Sequence, residues 1–113
     1  MAIEIWHNPR CSKSRETLQL LVDHNPTVRL YLEQNPDAAE IRSVLAKLGI
    51  SARELLRDGE DEYKSLGLAD TTLGENEIIA AMVKAPRLIQ RPIVINGQRA
   101  AIGRPPQAVL EIL

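Results

Sequence analysis

Residues 7–15, HNPRCSKSR, hold the single cysteine of the chain, Cys11, between a proline and three cations, Arg10, Lys13 and Arg15. A thiol is a nucleophile once it ionises. Free Cys titrates near 8.5, and a helix N-terminus with adjacent cations can bring it to ~4–7. From Ser12 onward the apolar positions Leu18, Leu21 and Val22 keep helical spacing, so a helix is predicted to start at this loop. The N–H groups of Ser12 to Arg15 then lack intrahelical partners and point at the spot where an anion or a thiolate sits. Nucleophile and anion site coincide.

Two familiar thiol chemistries are excluded by the neighbours. A Cys-x-x-Cys redox pair is ruled out by Ser14 and Asn8, and a phosphatase loop by Thr17, which stands where the arginine six residues past the cysteine belongs. An unpaired Cys is often a small buried hydrophobe, but Pro9, Arg10, Ser12 and Lys13 make a polar loop around this one. A solitary thiol forms no internal disulfide, and an intracellular one is kept reduced. Its chemistry therefore needs a second molecule. His7 and His24 are too few and too far apart for a metal cage, so no metal is expected.

The elements that must position this loop read clearly in order. Met1 to Trp6, with Ile3 and Ile5, is a short strand broken by Asn8-Pro9, and TVRLY, ending at Tyr31, is a second. Strand, helix and strand in about thirty residues make a parallel βαβ unit with a right-handed crossover. Residues 35–86 carry helix signals alone. Asn35-Pro36 reads as a cap and first helical residue ahead of the stripe Ile41, Val44, Leu45 and Leu48, which stops at Gly49. Ser51 with Glu54 has the form of a capping box. Glu60 to Leu66 and Glu75 to Val83 supply two more helical stretches, with Glu60-Asp61-Glu62 read as a solvated cluster. IVIN, an Asn96-Gly97 turn and QRAAI form a hairpin, and QAVLEIL a closing helix.

This order is that of an α/β, thioredoxin-like fold: a four-stranded mixed sheet flanked by helices, with a helical insertion between its βαβ and ββα halves. The expectation is one domain, 1–113, with a core of 1–34 and 87–113 and an insertion of 35–86. Such a fold sets the loop after β-strand one at the carboxyl end of the sheet, where ligands of open α/β sheets bind. It also places a cis-proline before the third strand, here Pro92.

Composition removes other classes. Net charge is -1 and aromatic content 3% with no Phe, which gives no basic field and little to stack on bases. Nucleic acid is not an expected partner. No run of 18 apolar residues occurs and no basic-then-apolar leader opens the chain. No membrane partner is expected, and the chain reads as cytoplasmic.

HNPRCSKSR after a first strand, ELLR ahead of Asp58, RPIV from Arg91 and GRPP from Gly103 together resemble the glutaredoxin-coupled arsenate reductase family, in particular its short chromosomal members. Plasmid-borne members continue past the final helix. The resemblance implies that Cys11 attacks arsenate to form a thiol-arsenate adduct while Arg57, Arg91 and Arg104 hold the oxyanion. It implies that His7 and Ser14 help to keep the thiolate; Arg10, Ser12, Lys13 and Arg15, as the loop's cations and helix-start residues, are expected to bind substrate and stabilise the thiolate beside them. Glutathione, a co-substrate and not a bound cofactor, then attacks the adduct; glutaredoxin reduces the mixed disulfide and arsenite leaves. The charge logic agrees. Thiolate and oxyanion repel, and Arg offsets this better than Lys because its rigid fork pairs with two oxygens and keeps its charge. Two alternatives stand beside this reading: a thiol-based regulator of the related RNA-polymerase-binding family, whose loop usually carries Cys-x-x-Cys, and a reductase of another thiol adduct or oxyanion.

Overall fold

The computed structural model describes residues 3–113; Met1 and Ala2, with which the expected first strand opens, lie outside the described residues. Two compact units are present, Met1–Gln34 with Arg91–Leu113, and Asn35–Gln90.

The first unit carries a four-stranded mixed sheet of order β2-β1-β3-β4. Its strands are β1 (Ile3–Trp6), β2 (Thr27–Arg29), β3 (Ile93–Asn96) and β4 (Arg99–Ile102). β1 is parallel to β2, with Trp6 opposite Arg29, and antiparallel to β3, with Trp6 opposite Ile93. The carboxyl end of β1 therefore lies between the exit of β2 and the entry of β3. Period-two alternation sends Ile3 and Ile5 to one face, where they pack with buried Leu21, Val94, Val109 and Ile112. Helix α1 (Ser12–Leu20) and the terminal 3₁₀ segment Pro106–Ile112 cover that face. Each such side chain contributes about 1.5–3 kcal/mol on burial. Trp6, expected to be core, is 2% exposed; it stacks on Tyr31 at 6.3 Å and carries the Arg29 guanidinium 5.4 Å from its ring.

Several boundaries differ from expectation for local reasons. β2 stops at Arg29, short of Tyr31, because the Glu33 and Gln34 amides both donate to the Leu30 carbonyl at 2.9 Å and turn the chain out of the sheet. The hairpin loop is Gly97-Gln98 rather than Asn96-Gly97: Asn96 pairs with Arg99, and Gly97 takes the positive φ, +63°. The closing segment winds as 3₁₀, and its last carbonyls are taken by side chains, Glu111 by Arg99 at 2.7 Å and Ile112 by Asn96 at 2.6 Å.

The second unit is helical. α2 (Ala38–Leu48) is capped by Asp37, not by Asn35, because Glu40 stands three residues past Asp37 and the two close a capping box. Ser51 and Glu54 form the second box at the start of α3 (Ala52–Leu55), as expected. α4 (Asp61–Ser65) and α5 (Glu75–Lys84) follow, and α5 buries Ile78, Ile79 and Met82. The Arg53 guanidinium ties the α4–α5 connection by donating to the Leu68 and Asp70 carbonyls, both at 2.9 Å. No helix among the described residues is long and apolar enough to cross a membrane.

Candidate functional site

Cys11 is the N-cap of α1, extended at φ -98° and ψ 123°. Its amide donates to the Asn8 carbonyl at 3.0 Å, and its carbonyl accepts from Arg15 at 3.0 Å. A tight loop thus delivers the sulfur to the helix start. Asn8 sets that loop: its Oδ1 accepts from the Arg10 amide at 3.0 Å and its own amide donates to Ser14 Oγ at 3.0 Å. The Arg15 guanidinium closes it from outside by donating to the Pro9 carbonyl at 2.9 Å.

Cys11 is 9% exposed. Burial pushes its pKa up, but the Ser14 amide, a hydrogen bond and the charge of Arg91, and the Lys13 amide together hold it below the ordinary thiol value. The amides act as a helix-start field around Sγ; neither closes a side-chain cap of standard geometry. The guanidinium at the sulfur is thus that of Arg91, entering from the start of β3. Lys13 contributes through its backbone, and Arg10, Ser12 and Lys13 have exposed side chains.

His7 and Ser14 are both buried and joined, Nδ1 to Oγ, at 2.7 Å. Burial, with the Arg15 charge behind it, keeps the imidazole below its ordinary 6.5. His7 is therefore neutral at pH 7 and brings no cation to the thiolate. It meets the loop at Ser14, whose hydroxyl holds both the ring and the Asn8 amide.

The Arg91-Pro92 bond is cis, as expected, and so is Arg104-Pro105, which carried no local signal beyond Pro itself. Arg104 Nε donates to the Arg91 carbonyl at 2.8 Å. The structure thus brings Cys11, Arg91, Pro92 and Arg104 together in one unit, alongside His7 and Ser14. Gly103 makes this possible. A Cβ there would lie 2.5 Å from Thr17 Oγ1 and 2.8 Å from Pro92 Cγ, and its amide donates to the Pro92 carbonyl at 2.9 Å.

Arg57 lies in the other unit. Its amide donates to the Leu88 carbonyl at 2.7 Å beside the Leu56–Ile89 bridge, and its guanidinium is 3.7 Å from Glu60, which also holds Arg87 at 3.3 Å. Glu60 is therefore not part of a solvated cluster: its side chain is 15% exposed, and Glu62 meets Arg87 at 3.7 Å. Burial of Arg57 requires such a carboxylate nearby. No group of three or more His, Cys, Asp and Glu side chains able to hold a metal occurs among the described residues.

The ArsC family profile matches residues 6–112. The chain belongs to the ArsC family. It is 56% identical to "Uncharacterized protein YfgD" of Escherichia coli (strain K12), covering 98% of this chain and 96% of that one. It is 47% identical over the full length of both chains to "Arsenate reductase" of Haemophilus influenzae. Among solved structures, "Arsenate reductase from Vibrio cholerae" matches with a TM-score of 0.96 and 46% identity, covering 100% of this chain and 98% of that one. The fold is that of the arsenate reductases in this family, an α/β architecture consistent with the thioredoxin-like class.

Proposed function

We propose that this chain is a thiol-dependent arsenate reductase with Cys11 as its nucleophile. One observation carries the reading: a single, nearly buried cysteine at a helix start has its thiol held toward the ionised form by the Ser14 amide, the guanidinium of the sequence-distant Arg91 and the Lys13 amide. That arrangement favours both an ionised thiol and an oxyanion beside it. The arsenate reductases of H. influenzae and V. cholerae, at 47% and 46% identity, support the choice of substrate.

In the proposed reaction the Cys11 thiolate bonds to arsenic(V). One arsenate oxygen leaves as water, carrying one arsenate proton and one from solvent. Arg91 and Arg104 offset the charge of the oxyanion, and Arg57 joins them on the strength of the family resemblance. A glutathione thiolate then bonds to Cys11 Sγ as the S–As bond breaks. The electron pair of that bond goes to arsenic, which leaves as arsenite, arsenic(III), and the two sulfurs become a mixed disulfide. A glutaredoxin thiolate attacks the glutathione sulfur and returns Cys11 as a thiolate.

The test is turnover of arsenate in an assay that couples glutathione, glutaredoxin, its reductase and NADPH consumption. Activity that needs both thiols and vanishes in Cys11→Ser supports the reading. Activity that survives in Cys11→Ser, or absence of turnover with all components present, overturns it.

A further inference from the structure

Thr17 has no part in the reaction proposed above, yet it is fully buried in α1 and its hydroxyl donates to the Lys13 carbonyl at 2.8 Å. Gly103 leaves it that place, since a Cβ there would lie 2.5 Å from Thr17 Oγ1. A threonine that bonds one turn back along its own helix is a general local device. What sets this one apart is the peptide group it bonds. The Lys13 carbonyl and the Ser14 amide are two ends of the same peptide, and the Ser14 amide is the largest single contribution that favours the ionised Cys11 thiol against burial.

Two physical effects follow from that connection. The peptide is planar, so a bond that fixes the direction of its C=O also fixes the direction of its N–H. Donation to the carbonyl oxygen also draws electron density from the nitrogen, which makes the N–H a stronger donor; bonds in such a chain reinforce one another in a low-dielectric interior. The helix supplies the first donor to the Lys13 carbonyl, the Thr17 amide one turn on, and the hydroxyl fills the second lone pair.

Resting on Cys11 as the nucleophile, we infer that Thr17 is a positioning residue for it: its hydroxyl holds and polarises the Lys13–Ser14 peptide whose N–H faces the sulfur. Being fully buried, Thr17 acts through that peptide and not on the oxyanion. The charged and titratable groups nearby stand outside this chain of bonds. Arg91 reaches the sulfur from the entry of β3, His7 is bonded to the Ser14 hydroxyl and not to its amide, and Arg15 donates to the Pro9 carbonyl. A hydrogen bond to a charged group is a factor of roughly 10 to 150. Strengthening it by about 10–30% multiplies the thiolate population about 1.3- to 4.5-fold.

Thr17→Ser and Thr17→Ala both lose the methyl and differ in the hydroxyl alone. Iodoacetamide alkylation against pH, run on the free protein without arsenate, gives the thiol midpoint of each. Thr17→Ala is expected above wild type, with about 1.3- to 4.5-fold less thiolate at a pH below both midpoints, and Thr17→Ser at the wild-type midpoint. Equal midpoints in the two variants, raised or unmoved, overturn the inference. Should Thr17→Ala fail to fold, Thr17→Val keeps the methyl and loses the hydroxyl; its midpoint lying above wild type supports the inference, and its matching wild type overturns it. In the coupled assay, Thr17→Ala should lower arsenate reduction below the thiol midpoint and recover above it, whereas a loss of the same size at every pH assigns Thr17 to the fold alone. Absence of turnover in wild type overturns the proposed reaction, and the alkylation arm still decides the role of Thr17.

Discussion

Arg104 Nε donates to the carbonyl oxygen of Arg91 at 2.8 Å, so the residue that holds the Cys11 thiol has its own backbone held by a second arginine thirteen residues on. Both precede a cis-proline, one at the entry of β3 and one after the exit of β4. The hairpin between them is a clamp that returns two guanidinium groups to one end of the sheet. Charge at the sulfur is thus supplied by the tertiary contact with Arg91, while of the cations adjacent in sequence Arg15 serves the loop through the Pro9 carbonyl.

Arg91→Ala is therefore expected to raise the thiol pKa, because the desolvation that opposes ionisation stays while the hydrogen bond and charge that favour it are lost. Iodoacetamide alkylation followed against pH gives the midpoint. It should move upward from the wild-type value, whereas Lys13→Ala, which keeps its amide, should leave it in place. Equal midpoints in wild type and Arg91→Ala would refute the Arg91 contact.

Loss of each proposed oxyanion partner has a size. Arg104→Ala, Arg91→Ala and Arg57→Ala should each weaken arsenate binding to the Cys11→Ser protein by about 1.5–3 kcal/mol, a factor of roughly 10 to 150, if charged hydrogen bonds are made. Calorimetric titration with arsenate, and with sulfate as a non-reacting mimic, measures this. Arg87→Ala is the control, since Arg87 is a 62% exposed partner of Glu60 and Glu62. Affinities of all three variants matching that of the control would assign these arginines to the surface.

How much of this was legible in the sequence depends on range. Ser51 with Glu54, the break after Trp6 and the helix start at Cys11 are set by residues within a few positions, and they read correctly. Asp37 with Glu40 was equally local; the Asn-Pro pair two residues earlier masked it. The end of β2 was lost because the bonds that turn the chain at Leu30 have no residue-type signature, and Leu30 and Tyr31 look like strand. Arg91 and Arg104 came to notice only through the family motifs. Nothing in RPIV or GRPP alone directs a guanidinium to a sulfur eighty residues away. Glu60 looked like one of three exposed acids although Arg57 stands three residues before it, because its other partner, Arg87, comes from 27 residues on. The role of Gly103 was silent too, since close approach leaves no pattern.

Gly103→Ala tests that close approach. The new methyl meets Thr17 Oγ1 at 2.5 Å and Pro92 Cγ at 2.8 Å, closer than such contacts tolerate, and Thr17 is fully buried with its hydroxyl on the Lys13 carbonyl at 2.8 Å. Overpacking of this kind costs about 1–3 kcal/mol. A fall in the urea midpoint at unchanged slope is expected. Gly103→Ala combined with Thr17→Ala should recover only part of the loss, because the Pro92 contact remains. A midpoint equal to wild type would mean that the β4 exit can move away from α1.

His7 predicts a dependence of stability on pH whose sign is fixed by its environment. Burial, then repulsion from Arg15, holds its folded pKa below the ordinary 6.5. As pH falls through 6.5 the unfolded chain takes up a proton that the folded chain resists, so the unfolded state binds more protons and folding stability declines. The contribution is fully present above 6.5 and is lost as pH drops toward the folded pKa. Cys11, also depressed, adds a slope of the same sign at higher pH, so the comparison is made in Cys11→Ser. There, urea midpoints between pH 7.5 and 5 should fall more steeply with His7 than with His7→Gln, whose amide keeps a partner for Ser14 and has no charge to gain. Parallel slopes would show that the ring titrates as freely in the fold as in the open chain, and the buried His7–Ser14 pair would lose its standing as the neutral brace of the nucleophile loop.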